Sequence, residues 1–226
     1  MRMLGLMRVR NEARWLEACL RAQWFCGHVV ILDDNSTDET EAVCREFDGF
    51  VTLIHKPYDA GYEEGADREF LARQAAHYNP EWICSMDGDE VLLEDTWEKI
   101  QPALDNPAIP AIDVLNLHLW NDKYTVRVDG NWRDQYRQRF WRFKPGTLTY
   151  EKDHCSIPNE LTERPFARLG VRMLHYGNIY AADRRRRYDR YAACGHDWPN
   201  LIQGDAGGPP AGDMELVSIE SLCAKS

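Results

Sequence analysis

Trp82-Ile83-Cys84-Ser85-Met86-Asp87-Gly88-Asp89-Glu90 is a short apolar run that ends in a turn dipeptide and opens onto paired carboxylates. A run of this length, closed by Asp-Gly, reads as a buried strand ending at an acidic edge. Open parallel sheets bind their ligands at that edge, outside the carboxyl ends of the strands. Two carboxylates with a glycine between them, whose missing Cβ lets the backbone turn, offer hard oxygen donors suited to Mg²⁺ or Mn²⁺. Asp-Gly is also a common surface turn, so the tetrapeptide taken alone reads first as a solvated turn.

The flanking sequence decides between the two. Met3 to Val9 is a first apolar run, after which Leu16, Leu20 and Trp24 recur at helical spacing beside Trp15 and Cys19, and Gly27 closes that helix. Val29-Val30-Ile31-Leu32 is a second strand ending in Asp33-Asp34-Asn35. Ser36 and Glu39 stand at capping-box spacing, which predicts a helix from there towards Glu46. Val51 to His55 reads as a third strand and Gly65 to Tyr78 as a third helix, with Trp82 to Met86 the fourth strand. This alternation implies a parallel sheet with right-handed crossovers. Beyond it, Leu115, Leu117 and Leu119 alternate with polar residues as in a half-buried strand. Asp129-Gly130 separates Tyr124–Val128 from the aromatic segment Trp132–Phe143, predicting an antiparallel hairpin or a longer excursion. Gly170 to Tyr176 reads as a strand and Asp183 to Cys194 as a basic helix.

The 226 residues suffice for one full core, so one domain is the expectation. Acids outnumber bases by 37 to 27, for a net charge of -10, which argues against a nucleic-acid partner. The seven cysteines (Cys19, Cys26, Cys44, Cys84, Cys155, Cys194 and Cys223) contain no Cys-x-x-Cys pair and read as reduced, buried thiols. No apolar stretch approaches the roughly 18 residues of a membrane span, and Met1 to Arg10 lacks the features of a signal peptide. A cytoplasmic protein is expected, with peripheral membrane contact left open.

Two acidic clusters, Asp33-Asp34 and Asp87-Gly88-Asp89, therefore fall on one edge of one sheet. At this point the chain resembles the family 2 glycosyltransferases with the GT-A fold, through Arg10-Asn11-Glu12-Ala13, Leu32-Asp33-Asp34-Asn35-Ser36-Thr37-Asp38, Asp87-Gly88-Asp89-Glu90 and Leu174-His175-Tyr176-Gly177 in order. The resemblance implies an α/β fold: a Rossmann-like, mostly parallel sheet flanked by helices, with a smaller antiparallel acceptor-side portion. It implies one domain over residues 1–202, divided into a nucleotide-sugar half (1–105) and an acceptor half (106–202); the glycines and prolines from Gln203 to Ala211 signal a loop, so 203–226 reads as a flexible tail, with a small docking helix at its end as the alternative. It further implies inverting transfer of a sugar from a nucleoside diphosphate donor, UDP or dTDP by preference, to a hydroxyl of a glycan or lipid-linked acceptor, with Mn²⁺ or Mg²⁺ as cofactor. Asp33 would accept the imino N–H of the base, with Arg10 and Glu12 in the same donor region and Arg68 facing phosphate. Asp87 would reach the ribose or a metal-bound water, Asp89 the metal, and His175 the metal or the diphosphate. Glu160, in Pro158-Asn159-Glu160-Leu161, is the implied general base, with Asp153 and Asp134 as substitutes.

Other readings stand beside these. Asp34, Asn35 and Ser36 suit a helix cap equally well. His175 alone reads as a satisfied structural histidine. Arg184-Arg185-Arg186-Arg187 reads as a solvated helix face with Asp183 and Asp189 as partners, or as a basic patch near phosphate. Trp132 is the aromatic best placed to stack on an acceptor sugar. The rival functions are a nucleotidyltransferase, which normally needs a Gly-rich basic loop that Gly5 alone does not supply, and a non-catalytic nucleotide-sugar-binding module or partner-dependent subunit.

Overall fold

The computed structural model describes residues 1–57, 63–146, 149–150, 157–161, 166–193, 195–209 and 211–223. They form two compact units: Met1–Val114 with Tyr136–Arg172, and Leu115–Gln135 with Met173–Ser226.

The first unit is built on β1 (Met3–Val9), α1 (Ala13–Ala22), β2 (His28–Asp33), α2 (Thr40–Arg45), β3 (Val51–His55), α3 (Glu64–Ala75) and β4 (Trp82–Asp87). It continues through β5 (Glu90–Leu92), α4 (Thr96–Ile100), β6 (Ala111–His118), β8 (Tyr136–Arg142) and β9 (Ala167–His175), of which β6 and β9 are divided between the units. The large sheet has the order β3-β2-β1-β4-β8-β6-β9-β5. β1 lies between β2 and β4 and runs parallel to both, and β3 runs parallel to β2. β8 is antiparallel to β4, so the aromatic segment extends the main sheet and forms no hairpin with the strand before it. That preceding strand, β7 (Thr125–Arg127), instead pairs antiparallel with β10 (Leu216–Ser218) in the second unit. After α5 (Ala181–Ala193), segment 203–226 contains β10 and a short helix, α6 (Ile219–Cys223).

Strands β1, β2 and β4 are buried almost throughout, as expected of strands covered on both faces. On one face Leu4, Leu6, Val30, Leu32 and Ile83 pack with Leu71, Ala72 and Ala75 of α3 and with Trp141. On the other, Gln23 just beyond α1 donates to the Met7 sulfur at 3.2 Å. A Cβ on Gly5 would lie 2.8 Å from Val29 and 2.9 Å from Gln23, so that position accepts only hydrogen. Trp24 lies beyond the end of α1 with 63% of its surface exposed, and the helical stripe ends at Leu20. β6 is buried on both faces, Asn116 and His118 included, where simple alternation predicts polar residues facing water.

Helix α3 carries a mixed stripe. Glu64, Asp67, Arg68, Leu71, Ala72 and Ala75 are all buried and follow helical spacing, so its inward face is charged in the first half and apolar in the second. Asp67 meets Arg8 Nε at 2.5 Å and Lys56 Nζ at 2.9 Å, while Asp34 meets Arg8 Nη2 at 2.7 Å and Lys56 Nζ at 3.3 Å. Two cations and two anions thus form a closed box that ties the ends of β1, β2 and β3 to α3. In the second unit, Trp120 has the Arg127 guanidinium 4.6 Å and the Arg184 guanidinium 4.5 Å from its ring centroid. Arg127 is held by Asp129 and Arg184 by Asp205.

The four-charge box predicts that Lys56→Met, which removes the buried ammonium between Asp34 and Asp67, lowers unfolding free energy by about 3–5 kcal/mol. Urea titration of the variant against wild type measures it.

Candidate functional site

Because β1, β2 and β4 are parallel neighbours, their carboxyl ends share one edge. Val9 is in register with Asp33, and Arg8 with Asp87, so both acidic clusters flank the end of β1. The edge is stabilised by its loops. Asn11 and Asn35 both adopt left-handed backbone conformations (φ 58° and 57°), which asparagine tolerates better than most side chains. The backbone N–H groups of Asn11, Glu12 and Ala13 donate to Ser36 Oγ, Thr40 Oγ1 and Asp38 Oδ2 at 2.9, 3.0 and 3.1 Å. Thr37 N donates to Asn11 Oδ1 at 2.7 Å. The β2–α2 loop therefore caps the start of α1, and Ser36 is engaged there. Helix α2 starts at Thr40, later than the capping-box spacing predicts, with no side-chain cap from Glu39.

Asp33 is buried, accepts from Ser36 through Oδ1, and has Oδ2 3.3 Å from His55 Nδ1. Arg10, half exposed, lies 3.6 Å from Asp34. At the end of β4 the two oxygens of Asp87 each meet one guanidinium at 3.0 Å, Oδ1 that of Arg68 and Oδ2 that of Arg139. Arg68 also pairs with Glu64 at 2.7 Å, and Arg139 with Glu90. Both arginines are buried, whereas the Asp87 side chain keeps 34% exposure, so the guanidiniums hold it from the protein side. Asp89 and Glu90 are buried. Burial pushes the Glu90 carboxyl up to about 7, against the pull of Arg139 and with Asp87 and Asp89 reinforcing the rise. Gly88 has no positive φ to require glycine. Its added Cβ would lie 2.9 Å from both Glu12 and Val9, so close approach and not turn torsion excludes a side chain.

Among the described residues no group of three or more His, Cys, Asp and Glu side chains is arranged as a metal site. The donor chemistry still suits Mg²⁺ or Mn²⁺, which are commonly bound by one or two carboxylates with the remaining positions left to water and substrate phosphate. Asp87, one third exposed, and Asp89 carry oxygens of this kind.

His175 belongs to the second unit and is buried. The Arg187 guanidinium lies 3.1 Å from its Nε2, and since guanidinium only donates, that nitrogen accepts. His118 stands beside it, ring centroids 4.9 Å apart, with Trp132 edge-on to His118 at 4.8 Å. Asn178 Nδ2 lies 3.1 Å from His118 Nδ1, and Gln135 Oε1 lies 2.8 Å from Nε2. The arginine run is not a uniform solvated face: Arg184 is buried against Asp205, Arg187 meets His175, and Arg186 pairs with Asp183 at 3.1 Å.

Glu160 is exposed on a single 3-10 turn (Asn159–Leu161) in the first unit, and its Oε1 lies 3.3 Å from both Thr149 N and Oγ1. Asp153 lies outside the described residues, and Asp134 sits in the second unit at φ 54°. Sequence reasoning missed Arg8, Lys56, Glu90, Arg139 and His118. A usable signal existed for one of them: Arg139 directly precedes the apolar pair Phe140-Trp141 within a strand, and a charge there demands a buried partner.

The edge and sheet order define a mixed α/β fold of GT-A type. Residues 1–349 of S. aureus TarS superpose with a TM-score of 0.53 at 13% identity, covering 89% of this chain and 69% of that one. The same protein in complex with UDP gives a TM-score of 0.52 at 14% identity, covering 82% of this chain and 64% of that one. A model of glycosyl transferase family 2 matches residues 6–160, more than half of the chain, and the protein belongs to that family. An uncharacterized protein of Mycobacterium tuberculosis is 26% identical over 211 residues, covering 88% of this chain. The chain spans about half the length of the curated relatives it matches, 52% in that case.

The raised Glu90 carboxyl predicts a pH dependence. Between about 4.5, its unfolded value, and about 7 the native state holds a proton that the unfolded state has lost, so this group's contribution to stability declines as pH rises through that window. Urea unfolding between pH 5 and 8 should show that decline in wild type and a flatter profile in Glu90→Gln.

Proposed function

We propose that this protein is a nucleotide-sugar-dependent glycosyltransferase of the hexosyl-transferring kind, moving a sugar from a UDP- or dTDP-type donor to an acceptor hydroxyl with inversion, in glycan or polysaccharide synthesis. The observation that carries this reading is the shared edge at which Asp33 and Asp87-Gly88-Asp89 flank the end of the central parallel strand β1. Family membership and the likeness of its fold to TarS, which has been crystallised with UDP, support it.

In this reading Asp33 accepts the imino N–H of the base, with Arg10 and Glu12 lining the same loop. Asp87 and Asp89 would hold Mn²⁺ or Mg²⁺. That cation, when bound, neutralises charge on the leaving diphosphate. Arg68, held between Glu64 and Asp87, supplies fixed positive charge on the diphosphate side of the edge. Glu160, exposed and within a loop of the first unit, takes the proton from the acceptor hydroxyl as it attacks, with Asp153 the alternative base. No helix among the described residues is long and apolar enough to cross a membrane. Buried free thiols at Cys19, Cys26, Cys44 and Cys84 support a cytoplasmic setting, where the acceptor would be a soluble glycan or a lipid-linked one met at the membrane surface.

Two measurements test the assignment. Asp33→Ala should weaken UDP or dTDP binding by roughly ten- to a hundredfold in calorimetry, the worth of a charge-assisted hydrogen bond. Unchanged affinity for every nucleotide tried would return Asp33 to its role of holding Ser36. Glu160→Gln should leave donor affinity within about twofold and cut transfer by roughly 10²–10⁴. If Asp153→Asn alone abolishes transfer, the base is Asp153. A wild type that binds nucleotide sugar but neither transfers nor hydrolyses it would make the protein a binding module.

A further inference from the structure

We infer that Arg139 is a positioning residue of the donor site, a buried guanidinium that fixes the Asp87 carboxylate by tying it to Glu90. The inference rests on the reading of Asp87 as part of the donor site. Ladder pairing of β4 with β8 runs through Trp82–Arg142, Ile83–Trp141 and Cys84–Phe140, so Arg139 is the next residue of β8, alongside the stretch where β4 reaches the acidic turn. From there its Nη2 lies 3.0 Å from Asp87 Oδ2 and bonds Glu90 Oε1. Glu90 Oε2 in turn accepts the backbone N–H of Asp87 at 3.0 Å. Asp87 N, Glu90 and Arg139 thus close a ring that returns to the Asp87 side chain, so one guanidinium references both the backbone and the carboxylate of Asp87.

Arg68 also contacts Asp87, but its further bonds go to Glu64 on its own helix and to Ser85 of β4. A carboxylate has about four lone-pair sites. With one guanidinium on each oxygen from the buried side, the direction in which the partly exposed Asp87 carboxylate faces the edge is set by Arg139. Lysine keeps the charge but carries it on a flexible stem as a compact ammonium, without the rigid planar head that fixes the direction of Nη2.

A residue that merely balances the Glu90 charge would be dispensable once that charge is removed as well. The test therefore compares Arg139→Lys, Arg139→Met and the double variant Arg139→Met/Glu90→Gln in the full chain, by urea unfolding and by calorimetry with UDP in the presence and absence of MnCl₂. Arg139→Met should lose both stability and UDP affinity. The double variant should recover most of the stability, because no buried charge is left unpaired, yet bind UDP at least about tenfold more weakly than wild type. Arg139→Lys should fold and show a similar loss of affinity. Wild-type UDP affinity in the folded double variant, or in Arg139→Lys, would overturn the proposal and leave the donor-site reading intact. If the double variant does not fold, Arg139→Lys decides alone. A wild type that binds neither UDP nor dTDP would remove the donor-site reading and this proposal together.

Discussion

Two cations, the buried Lys56 and the part-buried Arg8, face two buried anions and hold the carboxyl edge of the sheet together. Arg8 comes from β1, Asp34 follows β2, Lys56 follows β3 and Asp67 sits on α3, so each charge belongs to a different element and each has both opposite charges as neighbours. Burying a lone charge is prohibitive, whereas a closed box in which every charge is doubly compensated is tolerable and highly directional. The next residue of α3, Arg68, begins a second network through Glu64, Asp87, Arg139 and Glu90. Adjacent side chains on one helix therefore anchor the base side and the diphosphate side of the proposed donor site, and a shift of α3 would move both.

The strands of this edge were legible in the sequence because each is a short apolar run covered on both faces. Asp33, Asp87 and Asp89 were legible as strand-end acids. What was not legible depended on pairing between distant segments. The Asp129-Gly130 dipeptide looks like a hairpin turn, but Gly130 (φ 47°) opens a 3-10 turn, and the flanking strands find other partners, β10 and β4. Ser36 has the spacing of a capping box yet spends its hydroxyl on Asp33 and the Asn11 amide. Lys56 and Arg139 look like solvent-facing charges until the topology delivers carboxylates to them. His118 alternates with leucines on a strand whose two faces are both covered, and periodicity carries no information about the second face.

Charge in the second unit follows a different logic from that of the first. Arg127 and Arg184 lie against the indole of Trp120 and are also bonded to acids, so their guanidiniums gain both ring and carboxylate contacts. Arg184 in addition donates to the carbonyls of Asn178 and Ile179, which fixes the segment just after His175. Four consecutive arginines thus divide into a buried brace, a histidine partner and residues nearer the surface, a division that charge counting alone does not foresee.

The start of α1 carries a consequence for how an anion is met on this edge. In dinucleotide-binding Rossmann folds the pyrophosphate sits on free amides at the first helix N-terminus. Here the amides of Glu12 and Ala13 are already donated to Thr40 and Asp38, and an aspartate occupies the place an anion would take. The positive end of that helix is internally quenched. Any diphosphate at this edge must find its counter-charge in side chains or in a carried cation, which makes recognition here sensitive to ionic composition in a way that an amide cradle is not.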